Sequence, residues 1–226
     1  MNIDPAKASK ILQTAQRVFE IEAAEVIKLS QRLTNDFASA VVAILNCKGK
    51  LIVSGMGKSG HIGRKIAATL ASTGTPSFFI HPAEAFHGDL GMISPQDLVM
   101  GISNSGETEE LIRLIPAIRR NGNQFIALCG NPNSTLVKNA DYFLNIKVDK
   151  EACPLELAPT SSTTATLAMG DALAVALMEE RGFQQENFAM FHPGGSLGRR
   201  LLTKVKDVMR KENLPLVTLQ TSIKEL

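Results

Sequence analysis

Ser103-Asn104-Ser105-Gly106-Glu107-Thr108 puts three hydroxyls and a glycine within six residues. The run follows apolar Leu98-Val99-Met100-Gly101-Ile102 and precedes amphipathic Leu111-Ile112-Arg113-Leu114-Ile115. That order reads as strand, tight turn, helix. A helix amino end has unpaired N–H groups and partial positive charge, so hydroxyl donors placed there suit a phosphate monoester. A second glycine-rich turn, Ser54-Gly55-Met56-Gly57-Lys58-Ser59-Gly60, follows Leu51-Ile52-Val53. It lets backbone approach a ligand, and Lys58 either projects a cation into the same cleft or is a solvated loop lysine.

Two nucleotide readings of the second turn fail. Gly55-x-Gly57-x-x-Gly60 matches the dinucleotide fingerprint, but that fold needs a carboxylate at the end of the second strand to hold a ribose. Here that strand ends at Ile80-His81-Pro82, with no acid before Glu84. Gly57-Lys58-Ser59 resembles the end of a P-loop, whose first glycine falls at position 52, an isoleucine.

The elements that must hold these turns follow from hydrophobic periodicity. Residues 5–46 carry apolar side chains at helical spacing, with a break near Thr34-Asn35-Asp36 that splits them into two helices. Strands are predicted at Leu51–Val53, Ser77–Ile80, Leu98–Ile102, Gln124–Leu128 and Tyr142–Val148. Helical segments fall at 62–72, 83–91, 107–120 and 134–139, and a long helix at Thr160–Arg181 is closed by Gly182. Apolar strands alternating with helices predict an α/β fold: a doubly wound, mostly parallel five-stranded sheet flanked by helices, with extra helices at the amino end. Ligands of such sheets sit beyond the carboxyl ends of the strands, where both turns fall. From Val205 onward, through Leu214-Pro215-Leu216-Val217 and Thr221–Leu226, a new pattern begins and stops. It reads as the opening of a second domain over 204–226, after a first domain over 1–203.

Composition narrows the function classes. The 226 residues suffice for one sizeable α/β domain, and 44% hydrophobic content is ordinary for a packed globule. A net charge of +2 gives no general attraction to nucleic acid or anionic membrane, and no tryptophan and one tyrosine leave little for base stacking. Cys47, Cys129 and Cys153 are odd in number and widely spaced, so no disulfide framework or zinc ribbon is indicated and a reducing cytoplasm fits. No signal peptide or membrane-spanning run is evident.

Taken together with His81-Pro82-Ala83-Glu84-Ala85-Phe86-His87-Gly88-Asp89-Leu90-Gly91, Cys153–Ser162 and Phe191–Arg199, the two turns resemble the sugar isomerase (SIS) domain family. The combination of five segments is similar to its D-arabinose 5-phosphate isomerase group, and the tail from Val205 resembles the start of a CBS-domain pair. The resemblance implies interconversion of D-ribulose 5-phosphate and D-arabinose 5-phosphate through a cis-enediolate, the first step toward 3-deoxy-D-manno-octulosonate for lipopolysaccharide or capsule. It also implies a homotetramer in the cytoplasm of a Gram-negative bacterium, with a sugar-phosphate substrate, no required cofactor, and no nucleic-acid or membrane partner.

Such a reaction needs a base near C1 and C2, an electrophile for the developing oxyanion, and a phosphate anchor. The anchor is expected at Ser103, Ser105 and Thr108, assisted by Ser54 or Ser59. Lys58 is the expected cation for oxyanion or phosphate. Glu110 sits where Glu107 and Glu109 complement a helix dipole equally well, and the resemblance singles it out as functional. Glu151 follows the fifth strand at the ligand edge; chemistry alone leaves it a surface residue or a base, and the resemblance makes it the general base. His87 and His192 lie in polar turns and can shuttle protons or open a cyclised substrate. The resemblance implies catalysis by His192, with reach to a neighbouring subunit, and substrate binding or catalysis by His87. It adds Gly74, Thr75 and His81 as substrate-binding positions. His81, His87, His192 and Asp89 together would bind zinc adventitiously, through His81 among others, and such a metal would inhibit the reaction. Two rival readings stay open: a non-catalytic sugar-phosphate sensor, and an SIS isomerase for another ketose phosphate.

Overall fold

The computed structural model describes residues 3–212, 218, 220–222 and 224. The chain divides into two compact units, Met1–Phe183 and Gln184–Leu226. The first therefore closes ahead of Thr203, where the sequence reading ended its first domain.

The first unit begins with two helices, α1 (Pro5–Gln31) and α2 (Asn35–Asn46). Asp4 caps α1 by accepting from the Ala6 and Lys7 N–H groups, and Thr34 caps α2 by accepting from Asp36 N–H. These caps account for the break the sequence shows at Thr34. There follow β1 (Leu51–Gly55), α3 (Gly57–Ser72), β2 (Ser77–Ile80), α4 (Pro82–Ala85), β3 (Leu98–Ser103), α5 (Glu109–Ile112), α6 (Ile115–Arg120), β4 (Gln124–Cys129), α7 (Thr135–Lys138), β5 (Tyr142–Asn145) and α8 (Ser161–Glu180). The five strands are all parallel, in the order β2-β1-β3-β4-β5. Chain order reverses between β1 and β3, so the crevice beyond their carboxyl ends is the topological switch point.

Alternation along each strand divides the core in two. Leu51, Val53, Met100, Ile102, Ile126 and Leu128 pack with Leu29, Ile44, Ile66, Leu70, Met169 and Leu173 of α1, α2, α3 and α8. Ile52, Val99, Phe125 and Ala127 face the other way, onto Ala85, Leu111, Ile118 and Leu136 of α4 to α7. Strands buried on both faces need continuous apolar runs, which is why they are easy to read in this sequence.

Three elements differ from the sequence expectation. The helix expected over 107–120 is two short pieces, because Pro116 lacks an N–H and its ring clashes with the carbonyl one turn back. The segment 83–91 holds the single turn α4 and a 3₁₀ turn at Asp89–Met92. β5 ends at Asn145 rather than Val148. Its neighbour β4 ends at Cys129, whose carbonyl accepts from Ile146 N–H, and beyond that point no strand remains to pair with.

The second unit holds α9 (Gln185–Phe191), α10 (Ser196–Leu202) and α11 (Val205–Val208). The predicted run Leu214–Val217 lies outside the described residues, as do Ile223, Glu225 and Leu226 of the run Thr221–Leu226. Among the described residues, no helix is long and apolar enough to cross a membrane.

Candidate active site

The serine turn leaves the carboxyl end of β3 and is folded around its own hydroxyls. Ser103 Oγ lies 2.8 Å from Thr108 Oγ1 and 3.5 Å from Ser105 Oγ. Gly106 N–H donates to Ser103 Oγ at 3.0 Å, and Glu107 N–H to Ser105 Oγ at 3.2 Å. Gly106 has φ 70, and a Cβ there would lie 2.1 Å from Ser134 Oγ, so only glycine fits. Glu107 braces the turn from outside: its carboxylate accepts from Thr135 N–H at 2.7 Å, a bond that pulls its pKa below the ordinary glutamate value. The following helix α5 has only four residues. Its dipole is correspondingly small, so what the turn offers a ligand is its three converging hydroxyls rather than a long helix.

α3 is the long helix whose amino end faces the same crevice. Gly57, with φ 53, turns the chain out of β1, and no side chain caps the helix. The first N–H groups of α3 are thus left for solvent or ligand, with exposed Lys58 and half-buried Ser59 beside them.

A cleft of about 490 Å³ opens at this edge of the sheet. Lys58, Ser59, Asn104 and Glu151 line it, together with Ser162, Thr163 and Thr166 from the start of α8. Glu151 Oε2 accepts from Thr160 N–H at 2.7 Å, Thr160 Oγ1 at 2.8 Å and Ser162 N–H at 3.3 Å, so this carboxylate caps α8. Burial pushes the Glu151 pKa up, but these donors and the Ser162 hydroxyl outweigh it and hold the carboxyl below its ordinary value of 4.5. The group is therefore ionised at neutral pH, and only Oε2 is taken up by the helix. Glu156, at φ 54, also lines the cleft; left-handed backbone at a non-glycine residue is strain of the kind that persists at functional sites.

Of the residues expected from sequence, Lys58, Ser59 and Glu151 meet in this cleft, and Asn104 of the serine turn joins them. Glu110 is half-buried on α5 beside that turn. Ser54 is not among the residues that line this cleft. It is fully buried in β1 and donates to the Ile80 carbonyl at 3.0 Å, tying β1 to β2. Gly74 and Thr75 are also placed away from this cleft. They precede β2 and so lie at the amino edge of the sheet, opposite the cleft, where Thr75 Oγ1 accepts from the Arg181 guanidinium. His87 is exposed, and His81 caps α4 with its Nδ1 buried and unpartnered. Among the described residues no three His, Cys, Asp or Glu side chains are grouped so that they could hold a metal ion. His192 belongs to the second unit. Its Nδ1–H donates to the Phe188 carbonyl at 3.0 Å and its ring stacks on Phe188, which leaves Nε2 as the basic nitrogen.

Asn104, Ser162, Thr163 and Thr166 were not singled out from sequence. Their signal was present: a hydroxyl-rich run at the start of a long predicted helix is where ligand or cap donors belong.

The SIS domain family matches residues 44–176. The arabinose 5-phosphate isomerase KpsF of Escherichia coli is 55% identical over 98% of this chain and 69% of its own length. The arabinose 5-phosphate isomerase KdsD of Pseudomonas aeruginosa is 57% identical over 94% of this chain and 65% of its own. The chain thus spans about two thirds of the length of these curated relatives. A crystallised protein of E. coli CFT073, in complex with A5P, superposes with a TM-score of 0.80 at 39% identity, covering 84% of this chain and 100% of that one. The family match over residues 44–176, with relatives 55% and 57% identical over nearly the whole of this chain, settles descent: the chain belongs to the SIS domain family, in its arabinose 5-phosphate isomerase group.

Proposed function

We propose that this chain carries an aldose–ketose isomerase that interconverts D-ribulose 5-phosphate and D-arabinose 5-phosphate. The observation that carries the reading is an ionised Glu151 sharing one cleft with Lys58 at the switch point of the sheet. Relatives named arabinose 5-phosphate isomerase at 55% and 57% identity support the substrate.

The phosphate sits against Ser103, Ser105 and Thr108, with the amino end of α3 and Ser59 beside it. Glu151 removes a proton from C1 of the ketose as the C2 carbonyl gains negative charge, which Lys58 offsets. The resulting cis-enediolate takes the proton back at C2, so C1 becomes the aldehyde and C2 the alcohol. Electrons move only within the substrate, and no cofactor or metal is needed for the balance. Glu110, His87 and His192 serve proton relay between O1 and O2 or opening of the cyclised aldose, with His192 acting across a subunit boundary in a tetramer. His81 binds substrate in this scheme. The product feeds octulosonate synthesis for lipopolysaccharide or capsule in the bacterial cytoplasm, and residues 204–226 begin a CBS module.

The test is direct. The purified chain, treated with chelator and given ribulose 5-phosphate, is expected to form arabinose 5-phosphate. Formation of a different aldose phosphate, or of none, overturns the substrate assignment.

A further inference from the structure

β5 ends at Asn145, and the segment that carries the chain on to Glu151 has no strand to pair with. It is held instead by one face of α1. Glu22, Glu25, Lys28 and Arg32 recur at intervals of three, three and four residues, the spacing that aligns side chains along a helix. Glu25 is a buried carboxylate, 3% exposed. Its Oε2 accepts from the Asp149 N–H at 2.8 Å, and its Oε1 from Lys28 Nζ at 2.7 Å. Lys28 Nζ also reaches Asp149 Oδ2 at 2.9 Å. Arg32 holds both Asp149 carboxylate oxygens, at 3.0 and 3.1 Å, and donates to the Lys147 carbonyl. On the same face, Glu22 Oε2 accepts from Thr164 Oγ1 at 2.7 Å, in the first turn of α8.

The two ends of this face bracket the position of Glu151. Asp149 lies two residues before it, and α8 is the helix it caps. Apart from Leu29, the buried residue of α1 is Glu25 itself, so polar contacts rather than an apolar stripe fasten the end of this helix. Hydrogen bonding to Glu25 and Asp149 raises the Lys28 pKa above 10.5, and bonding to Lys28 lowers that of Asp149 below 3.8; both stay charged across the working range.

We propose that Glu25 is a positioning residue for Glu151: through the Asp149 backbone, α1 fixes the strand-end segment so that the carboxylate meets the substrate in a reactive geometry. This rests on the reading of Glu151 as the base. Asn104 of the serine turn and Asp149 line the same cleft, but among the described residues no hydrogen bond or ion pair joins the turn to this network, so loosening the splint lowers turnover more than phosphate affinity. A displacement near 1 Å costs up to about 100-fold in rate.

Glu25→Met keeps the length of the side chain and removes the acceptor; Glu25→Gln keeps an acceptor for Asp149. In Glu25→Met, kcat is expected to fall about 10–100-fold, with KM within about threefold of wild type. Asp149 amide exchange should quicken about tenfold or more. Glu25→Gln should recover kcat to within about fivefold. If Glu25→Met does not fold, Arg32→Gln, which frees Lys147 and Asp149 at the helix end, should lower kcat several-fold at unchanged KM. Faster exchange at unchanged kcat, or unchanged exchange, overturns the proposal. A wild-type protein inactive on ribulose 5-phosphate overturns the reading of the site instead, and Asp149 exchange then still decides whether the splint exists.

Discussion

Glu151 caps α8 and is the proposed base, and two substitutions separate these roles. As a cap, its Oε2 satisfies Thr160 N–H, Thr160 Oγ1 and Ser162 N–H. Glu151→Ala leaves these donors to whatever water reaches them. A lost N-cap costs about 0.5–2 kcal/mol; with a hydroxyl also unpaired, and with discount for partial exposure, about 2 kcal/mol is expected. Glu151→Gln keeps an oxygen at the cap but loses the charge, so its cost should stay near 1 kcal/mol. For a domain of this size each kcal/mol moves Tm by roughly 2–4 °C. As a base, the carboxylate is worth about 100-fold or more in turnover, close to 2.7 kcal/mol of barrier, and glutamine cannot supply any of it. A loss of about 1 kcal/mol from a stability of about 5–15 kcal/mol leaves the protein more than about 99% folded at 25 °C. The fall in rate therefore cannot be ascribed to unfolding. The assay pairs thermal melts of both variants with arabinose 5-phosphate formation and wash-in of solvent deuterium at C2. A glutamine variant that keeps more than about a tenth of wild-type turnover would move the base to a histidine or Glu110. Equal melting temperatures for the two variants would refute the capping argument.

Removing the anchor hydroxyls in Ser103→Ala with Ser105→Ala should raise KM, at about 1–3 kcal/mol per lost charge-assisted bond, and leave kcat largely intact; an unchanged KM sinks the anchor. Ser54→Ala should cost about 1 kcal/mol in denaturant melts through the lost bond to Ile80, with no change in KM; a large rise in KM would restore Ser54 to the site. Gly106→Ala combines a left-handed φ with a 2.1 Å approach to Ser134, so KM should rise about tenfold and stability fall by about 1–3 kcal/mol. A normal KM for that variant would show that the turn relaxes freely. Because the folded pKa of Glu151 is depressed below 4.5, its contribution to stability is complete above pH 4.5 and is lost as pH falls through the folded value. The stability gap between wild type and Glu151→Gln should shrink on acidification below that point; a constant gap from pH 7 to pH 3 contradicts the depressed value.

What sequence reveals here depends on how local the cause is. β1, β3 and β4 are buried on both faces, and continuous apolar runs such as Leu98–Ile102 are visible without any partner. The split at Thr34 is a capping contact two residues long, and it too is legible. The convergence of Ser103, Ser105 and Thr108 lies within one turn, so spacing alone announces it. Less is legible where a contact spans the fold. Ser54 looks like a turn hydroxyl until β2 lies beside it and its proton goes to Ile80. Gly74 and Thr75 carry no local chemical signal, and strand direction puts them at the edge of the sheet opposite the cleft. β5 looks three residues longer than it is, because Ile146 and Val148 keep the strand alternation after β4 has run out.

Glu151 shows why the last step of the site is the least visible. Its environment comes from Thr160 and Ser162 across a loop, and its approach is fixed by α1 side chains more than a hundred residues earlier, the Glu25–Asp149 bond spanning 124 positions. A carboxylate that caps a helix is held ionised by the same donors that hold it in place, so its position and its protonation state have a single origin. Strengthening those donors would fix the geometry further while lowering basicity, and weakening them would do the reverse. The half-buried setting, which opposes the hydrogen bonds by raising the pKa, keeps the depression moderate. Splinting the strand end from α1 tightens the position of Glu151 without adding a donor to its carboxylate, so orientation improves at no loss of base strength. That independence is the physical reason for a buried glutamate on a helix whose other buried residue is Leu29.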